Sequence, residues 1–122
     1  MEIKVLNLET EISRREYMKS QLSGVSFSLF DALSPNDIDE KLFENKPHLL
    51  SKEAVATFES HRKIIGSCKD EPLLVLEDDS TPFKPDFMES IEDLLKTEHP
   101  WDIMVIGYFP AGESLSLPIT IE

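Results

Sequence analysis

The chain has a single cysteine, Cys68, among 122 residues. No disulfide can close within it, and a zinc site built from several thiolates is excluded. One thiol fits a reducing compartment. Positive charge is also scarce: 12 Lys and Arg stand against 24 Asp and Glu, for a net charge of −12. A generic nucleic-acid binder carries a basic stripe, and none is present. Attraction to an anionic membrane surface is disfavoured for the same reason. Long hydrophobic runs are missing too. None approaches the roughly 20 residues that span a bilayer. The opening MEIKVLNLE is too short and too charged for a signal peptide. There is no internal repeat and no low-complexity segment. The expected location is the cytoplasm, with attachment to a membrane through a partner left open.

What is present is globular in composition, 40% hydrophobic and 30% charged. The length suits one modest domain, residues 1–122, with one core. The excess of acids serves solubility, or a site that recruits divalent cations.

Patterning along the chain alternates strands and helices. IKVLNL, 3–8, is apolar on both faces, with Ile3 and Val5 one way and Leu6 and Leu8 the other, as in a central strand covered by helices. SRREYMKSQL has helical spacing, with Tyr17, Met18, Gln21 and Leu22 on one side, Ser13 and Glu16 placed as a capping box and Gly24 as the stop. VSFSLF, 25–30, alternates as a second strand. Residues 34–50 read as a loop with one short helix around 37–43. Ser51 caps a longer helix ending at Gly66, with Val55, Phe58, Arg62 and Ile65 on its inner side. PLLVLE is a third strand. PDFMESIEDLLK, 85–96, is a third helix, capped by Asp86 and Glu89, with Phe87, Ile91, Leu94 and Leu95 inward. WDIMVIG, 101–107, reads as a fourth strand, and the tail beyond it has no clear pattern. The order β-α-β-α-β-α-β predicts a mostly parallel sheet with helices on its faces.

In such sheets ligands sit beyond the carboxyl ends of the strands. The third strand runs directly into Glu77, Asp78 and Asp79. If the strand continues, Glu77 and Asp79 point the same way about 7 Å apart at roughly 3.3 Å per residue. That is too wide to grip one small ion directly, with metal–oxygen bonds of about 2.1 Å. Either a turn at Asp79 closes the gap, or one acid binds the ion and the other acts through water or a ligand hydroxyl. Hard oxygen ligands select Mg²⁺ or Mn²⁺ over zinc. The bland reading is a loop start, with Asp79 bonding the backbone near Ser80 and Thr81. The strand end and the absence of a neighbouring Lys or Arg in the sequence favour a cation site. A phosphate-receiver domain also places acids at strand ends. It needs an acidic pair after the first strand, where this chain has Asn7, Leu8 and Glu9, and a lysine after a late strand, which MVIGYFP does not supply.

Five pieces in order and spacing carry a resemblance: VLNLETEISRREYMKSQL, FSLFDAL, FESHRKI, LLVLEDDSTPFKPDF and WDIMVIG. Together they resemble glycosyltransferase family 25, the lipopolysaccharide and lipooligosaccharide biosynthesis glycosyltransferases. The strongest pieces are Arg14-Arg15, Ser60-His61, and Glu77-Asp78-Asp79 followed by Phe87. The resemblance implies an α/β, Rossmann-like GT-A fold, a UDP-sugar donor (UDP-galactose or UDP-glucose), a divalent metal (Mn²⁺ or Mg²⁺), inversion at the anomeric carbon and a glycan or lipooligosaccharide acceptor. It implies metal contacts from Asp79 and Glu77, and donor contacts from Arg14, Arg15, His61 and Asp78. Arg suits bidentate phosphate contact. The bland alternatives are a solvated first helical turn for at least one arginine and a hydrogen-bonded structural role for His61. Where the family shows Glu, Gly and Cys before its Ser-His pair, this chain has Ala54, Ala56 and Thr57. The resemblance covers only the first part of such enzymes, and no catalytic base is placed. The alternative expectation is a truncated, non-catalytic homologue that binds a nucleotide sugar or a protein partner, including a homodimer over the sheet edge.

Overall fold

Residues 2–7 alternate with Ile3 and Val5 on one side and Lys4 and Leu6 on the other, and the strand they form is the middle of the sheet. In the computed structural model, which describes residues 1–41, 51–69, 71–80, 84–98 and 100–107, this is β1 (Glu2–Asn7). It is followed by α1 (Ile12–Gln21), β2 (Ser28–Asp31), a 3-10 turn (Pro35–Asp37), α2 (Lys52–Gly66), β3 (Leu73–Glu77) and α3 (Phe87–Leu95). The chain divides into two compact units, Met1–Pro85 and Asp86–Glu122.

In the first unit the described strands form a parallel sheet in the order β2-β1-β3. This is an α/β arrangement of the Rossmann-like kind. The chain steps from β1 to β2 on one side, then returns across β1 to β3 on the other. Right-handed crossovers in opposite directions put the two connecting helices on opposite faces. The side chains bear this out. Asn7, on the Ile3–Val5 face, hydrogen-bonds α1. Lys4, on the Leu6 face, donates from Nζ to Ser67 Oγ at the end of α2, 2.7 Å away. Lys4 also lies over the Phe30 ring, 5.8 Å from its centroid.

Register carries these faces across the sheet. Ile3 pairs with Leu74, Val5 with Leu76 and Leu6 with Glu77. The α1 face therefore holds Ile3, Val5, Asn7, Leu74, Leu76 and Asp78, all buried. The α2 face holds Lys4, Leu6, Val75 and Glu77 and opens toward its carboxyl end. Met18 and Leu22 are the buried residues of α1 and its exit, and Tyr17 is exposed. Gly24, at φ 83°, turns the chain back after α1 in the left-handed region that favours glycine.

Several local expectations shift. The start of α1 lies at Ile12 with Glu11 as N-cap and no side-chain cap bond, so Ser13 is inside the helix and makes no capping box. Ser51 does cap α2, accepting from the Ala54 N–H at 3.1 Å. The buried stripe of α2 is Ala56, Ser60 and Ile64, not Val55, Phe58, Arg62 and Ile65; Phe58 is 63% exposed and Ile65 50%. Small residues let the helix lie close to the loop after β2: the Ser60 hydroxyl donates to Ala56 O and accepts from the Leu33 N–H, each at 2.7 Å. The second strand starts three residues later than alternation suggests. Of the short helix expected around 37–43, the described part shows a 3-10 turn at 35–37 and a helical residue at Lys41, and residues 42–43 lie outside the described residues.

In the second unit α3 starts after Asp86, which makes no capping hydrogen bond to the backbone. Residues 101–107 form no strand; Ile103 and Val105 are 74% and 75% exposed. Apolar alternation describes a fit to a pleated surface, and here no ladder partner among the described residues provides one. The tail after Gly107 lies outside the described residues. Among the described residues no helix is long and apolar enough to cross a membrane.

Candidate functional site

The strand order reverses about β1, with β2 on one side and β3 on the other, and a switch point of this kind opens a crevice at the carboxyl ends of the strands. β1 ends there with Asn7 and β3 with Glu77, so the acidic triplet stands at the switch point. A cleft of about 210 Å³ lies at this point, lined among others by Arg14, Thr57, His61, Glu77, Asp78 and Asp79.

A turn forms where the triplet begins. The Ser80 N–H donates to Glu77 O at 3.0 Å, and the Glu77 N–H donates to Ser80 Oγ at 3.1 Å. The strand does not run on through Asp79. It closes into a β-turn, the geometry that frees Glu77 and Asp79 from the fixed spacing of an extended strand.

Alternation then sends the acids to different partners. Glu77 is on the α2 face, and His61 Nε2 lies 2.9 Å from its Oε1. Asp78 is on the α1 face and is 9% exposed. Its Oδ2 accepts from Asn7 Nδ2 at 2.8 Å, and its Oδ1 accepts from the Arg14 guanidinium at 3.3 Å. A carboxylate this buried is costly unless paired and hydrogen-bonded, and both oxygens are. Asp79 is exposed and has no hydrogen bond or ion pair to any described residue.

The charge partner that looked absent is therefore present. Arg14 stands 64 positions from Asp78 in the chain and reaches it from α1. Arg15 does not line the cleft. Its Nε donates to Asn7 Oδ1 at 3.0 Å and a terminal nitrogen donates to Glu9 O at 3.4 Å. Neither arginine is merely solvated. His61 combines the two roles weighed for it, lining the cleft and holding a hydrogen bond.

Asn7 is the residue that sequence reasoning passed over. It is 2% exposed. Its amide donates to Asp78 and to Glu11 O, its side-chain oxygen accepts from Arg15, and its backbone carbonyl accepts from the Ala32 N–H at 3.0 Å. The available signal was an amide closing an otherwise apolar strand, where a buried polar group must find partners.

Among the described residues no group of three or more His, Cys, Asp or Glu side chains is arranged to hold a metal on its own. Mg²⁺ and Mn²⁺ sites at phosphates do not need one: Mg²⁺ usually takes one or two carboxylates together with substrate phosphates and waters. The free Asp79 carboxylate and the second oxygen of Glu77 fit that donor set.

The model of glycosyltransferase family 25 (LPS biosynthesis protein) matches residues 1–114. A protein of Acanthamoeba polyphaga mimivirus carrying the name "Putative glycosyltransferase" is 33% identical over 130 aligned residues, covering 95% of this chain and 40% of the relative. The chain thus spans about 40% of the length of that relative. No solved structure matches. With the family's model running from Met1 through β1, the acidic turn and α3, the chain belongs to glycosyltransferase family 25.

Proposed function

We propose that the chain is the donor-binding part of a metal-dependent glycosyltransferase of GT-A type. It takes a UDP-sugar, UDP-galactose or UDP-glucose, and serves transfer of the hexose to a glycan acceptor in lipopolysaccharide or lipooligosaccharide assembly. The observation that carries the reading is the division of the acidic triplet at the β1–β3 crevice. Two acids are tied to protein groups, and Asp79 is left free and exposed beside the cleft.

A divalent cation bound there would neutralise charge on the diphosphate as the nucleotide leaves. Asp79 holds it, with Glu77 contributing the oxygen not engaged by His61. Arg14 has a guanidinium half exposed at the cleft and can share its donors between Asp78 and a phosphate. His61 Nε2 must carry the hydrogen toward the Glu77 carboxylate, which only accepts, so Nδ1 is the ring atom open to the donor. Arg15 acts behind these groups, through Asn7.

Calorimetric titration of the chain with UDP and Mn²⁺ together tests donor binding. Cation-dependent binding is expected, and no heat in the presence of both overturns the reading. Release of UDP from a panel of UDP-sugars, with glycan acceptors, tests turnover. A second reading, a partner-binding module that holds the nucleotide without turnover, draws on Phe58 and Ile65, which present apolar surface on the outer side of α2. A monomer in sedimentation that releases UDP counts against it.

A further inference from the structure

Asp78 is the one member of the triplet that the fold hides. Both of its oxygens are committed, to Asn7 and to Arg14, and the side chain is 11% exposed. Asn7 is committed equally. Through four hydrogen bonds it joins the end of β3, the backbone at the start of α1, the Arg15 side chain and the loop that leaves β2. The end of β3, the start of α1 and the loop after β2 are thereby fastened to one residue.

We infer that Asn7 and Asp78 are a paired positioning device for the donor site, and that the Asp78 carboxylate touches neither the cation nor the nucleotide. The inference rests on the donor-binding reading above. Turning Asp78 toward a metal would leave one buried N–H of the Asn7 amide without its acceptor, at the desolvation cost of an unsatisfied group, and would break the ion pair with Arg14. Asp79, one residue on, carries no such obligations. The pair fixes where the turn begins, and the turn presents Asp79.

The pair can be inverted. Asn7→Asp combined with Asp78→Asn keeps one amide and one carboxylate. The carboxylate now at position 7 accepts from Arg15 and from the amide at position 78, whose oxygen still accepts from Arg14. The donation to Glu11 O is lost, and the Arg14–Asp78 ion pair becomes a hydrogen bond to a neutral amide. Asn7→Asp alone sets two carboxylates against each other, and like charges at that distance cannot both stay ionised at ordinary cost. Asp78→Asn alone confronts Arg14 or Asn7 with a second donor.

The test measures UDP affinity at saturating Mn²⁺, and the apo melting temperature, for the wild-type chain, both single variants and the double variant. Each single variant is expected to lose about tenfold in affinity, and the double variant to return to within about threefold of wild type. The double variant is compared with wild type directly, so neither single variant has to fold. A double variant that melts like wild type but no longer binds UDP–Mn²⁺ overturns the inference, because the Asp78 charge itself then contacts the ligand. So does a double variant that fails to fold, or single variants with wild-type affinity. A wild-type chain that binds no UDP–Mn²⁺ is a different result: it removes the donor-binding reading and this inference with it.

Discussion

His61 Nε2 and Glu77 Oε1 lie 2.9 Å apart, a contact between the middle of α2 and the last residue of β3. It exists because Glu77 shares the Leu6 side of the sheet, the side that α2 covers. A strand-end acid and a helix histidine, 16 positions apart, become one unit at the mouth of the cleft. Their side chains are 34% and 52% exposed, so the contact contributes little to folding and its interest lies in the ligand.

His61→Ala is accordingly expected to weaken UDP–Mn²⁺ binding by about tenfold while changing folding free energy by no more than about 1 kcal/mol. Calorimetry and urea unfolding of the same preparation check both halves. Unchanged affinity removes His61 from the site.

Asp79→Ala removes the only member of the triplet without a partner among the described residues. Cation-dependent UDP binding is expected to disappear, with stability within about 0.5 kcal/mol of wild type, as for exposed positions in general. Water-proton relaxation of Mn²⁺ with and without the chain reads the cation directly.

The inner stripe of α2 makes opposite predictions for two apolar residues on one helix. Ile64 is fully buried, and Ile64→Ala is expected to cost about 2–5 kcal/mol. Phe58, exposed at 63%, is expected to tolerate Phe58→Ala within about 0.5 kcal/mol. Urea unfolding midpoints at constant slope decide it.

One acid-side titration is set by a single contact. The hydrogen bond from Lys52, and then its charge, holds the Glu40 carboxyl below its ordinary 4.5. A carboxyl depressed in the folded state adds stability above its unfolded value, and that contribution is lost as pH falls through the folded one. Lys52→Met is expected to move the Glu40 midpoint in carbon-detected NMR back up toward 4.5. An unmoved midpoint shows that the pair does not persist in solution.

The elements legible in the sequence were those decided by local pattern. β1 and β3 announce themselves through apolar runs. Ser51 marks the start of α2, because a cap is a contact between neighbours. The site was legible as a location, since strand ends and acids are both visible in order. Its wiring was not. Asn7 meets Asp78 across 71 positions, and nothing local tells an amide at a strand end that its acceptor is a distant carboxylate. The buried face of α2 is hidden for a related reason: weighing apolar side chains selects Phe58 and Ile65, whereas close approach to the loop after β2 selects Ala56 and Ser60. Residues 101–107 carry strand-like alternation, but a strand is a property of a pair.

The central position of β1 has a consequence for how the chain acquires its shape. Lys4 pairs with Ser28, a short loop closure, whereas Asn7 reaches Asp78 only after 71 positions have been brought together. Long closures cost more entropy and come later. The β1–β2 half of the sheet can therefore assemble while the remainder is still being synthesised, with one edge of β1 waiting. Among the described strands the crevice that holds the acids is completed by the longer closure, so binding competence follows the second pairing rather than the first.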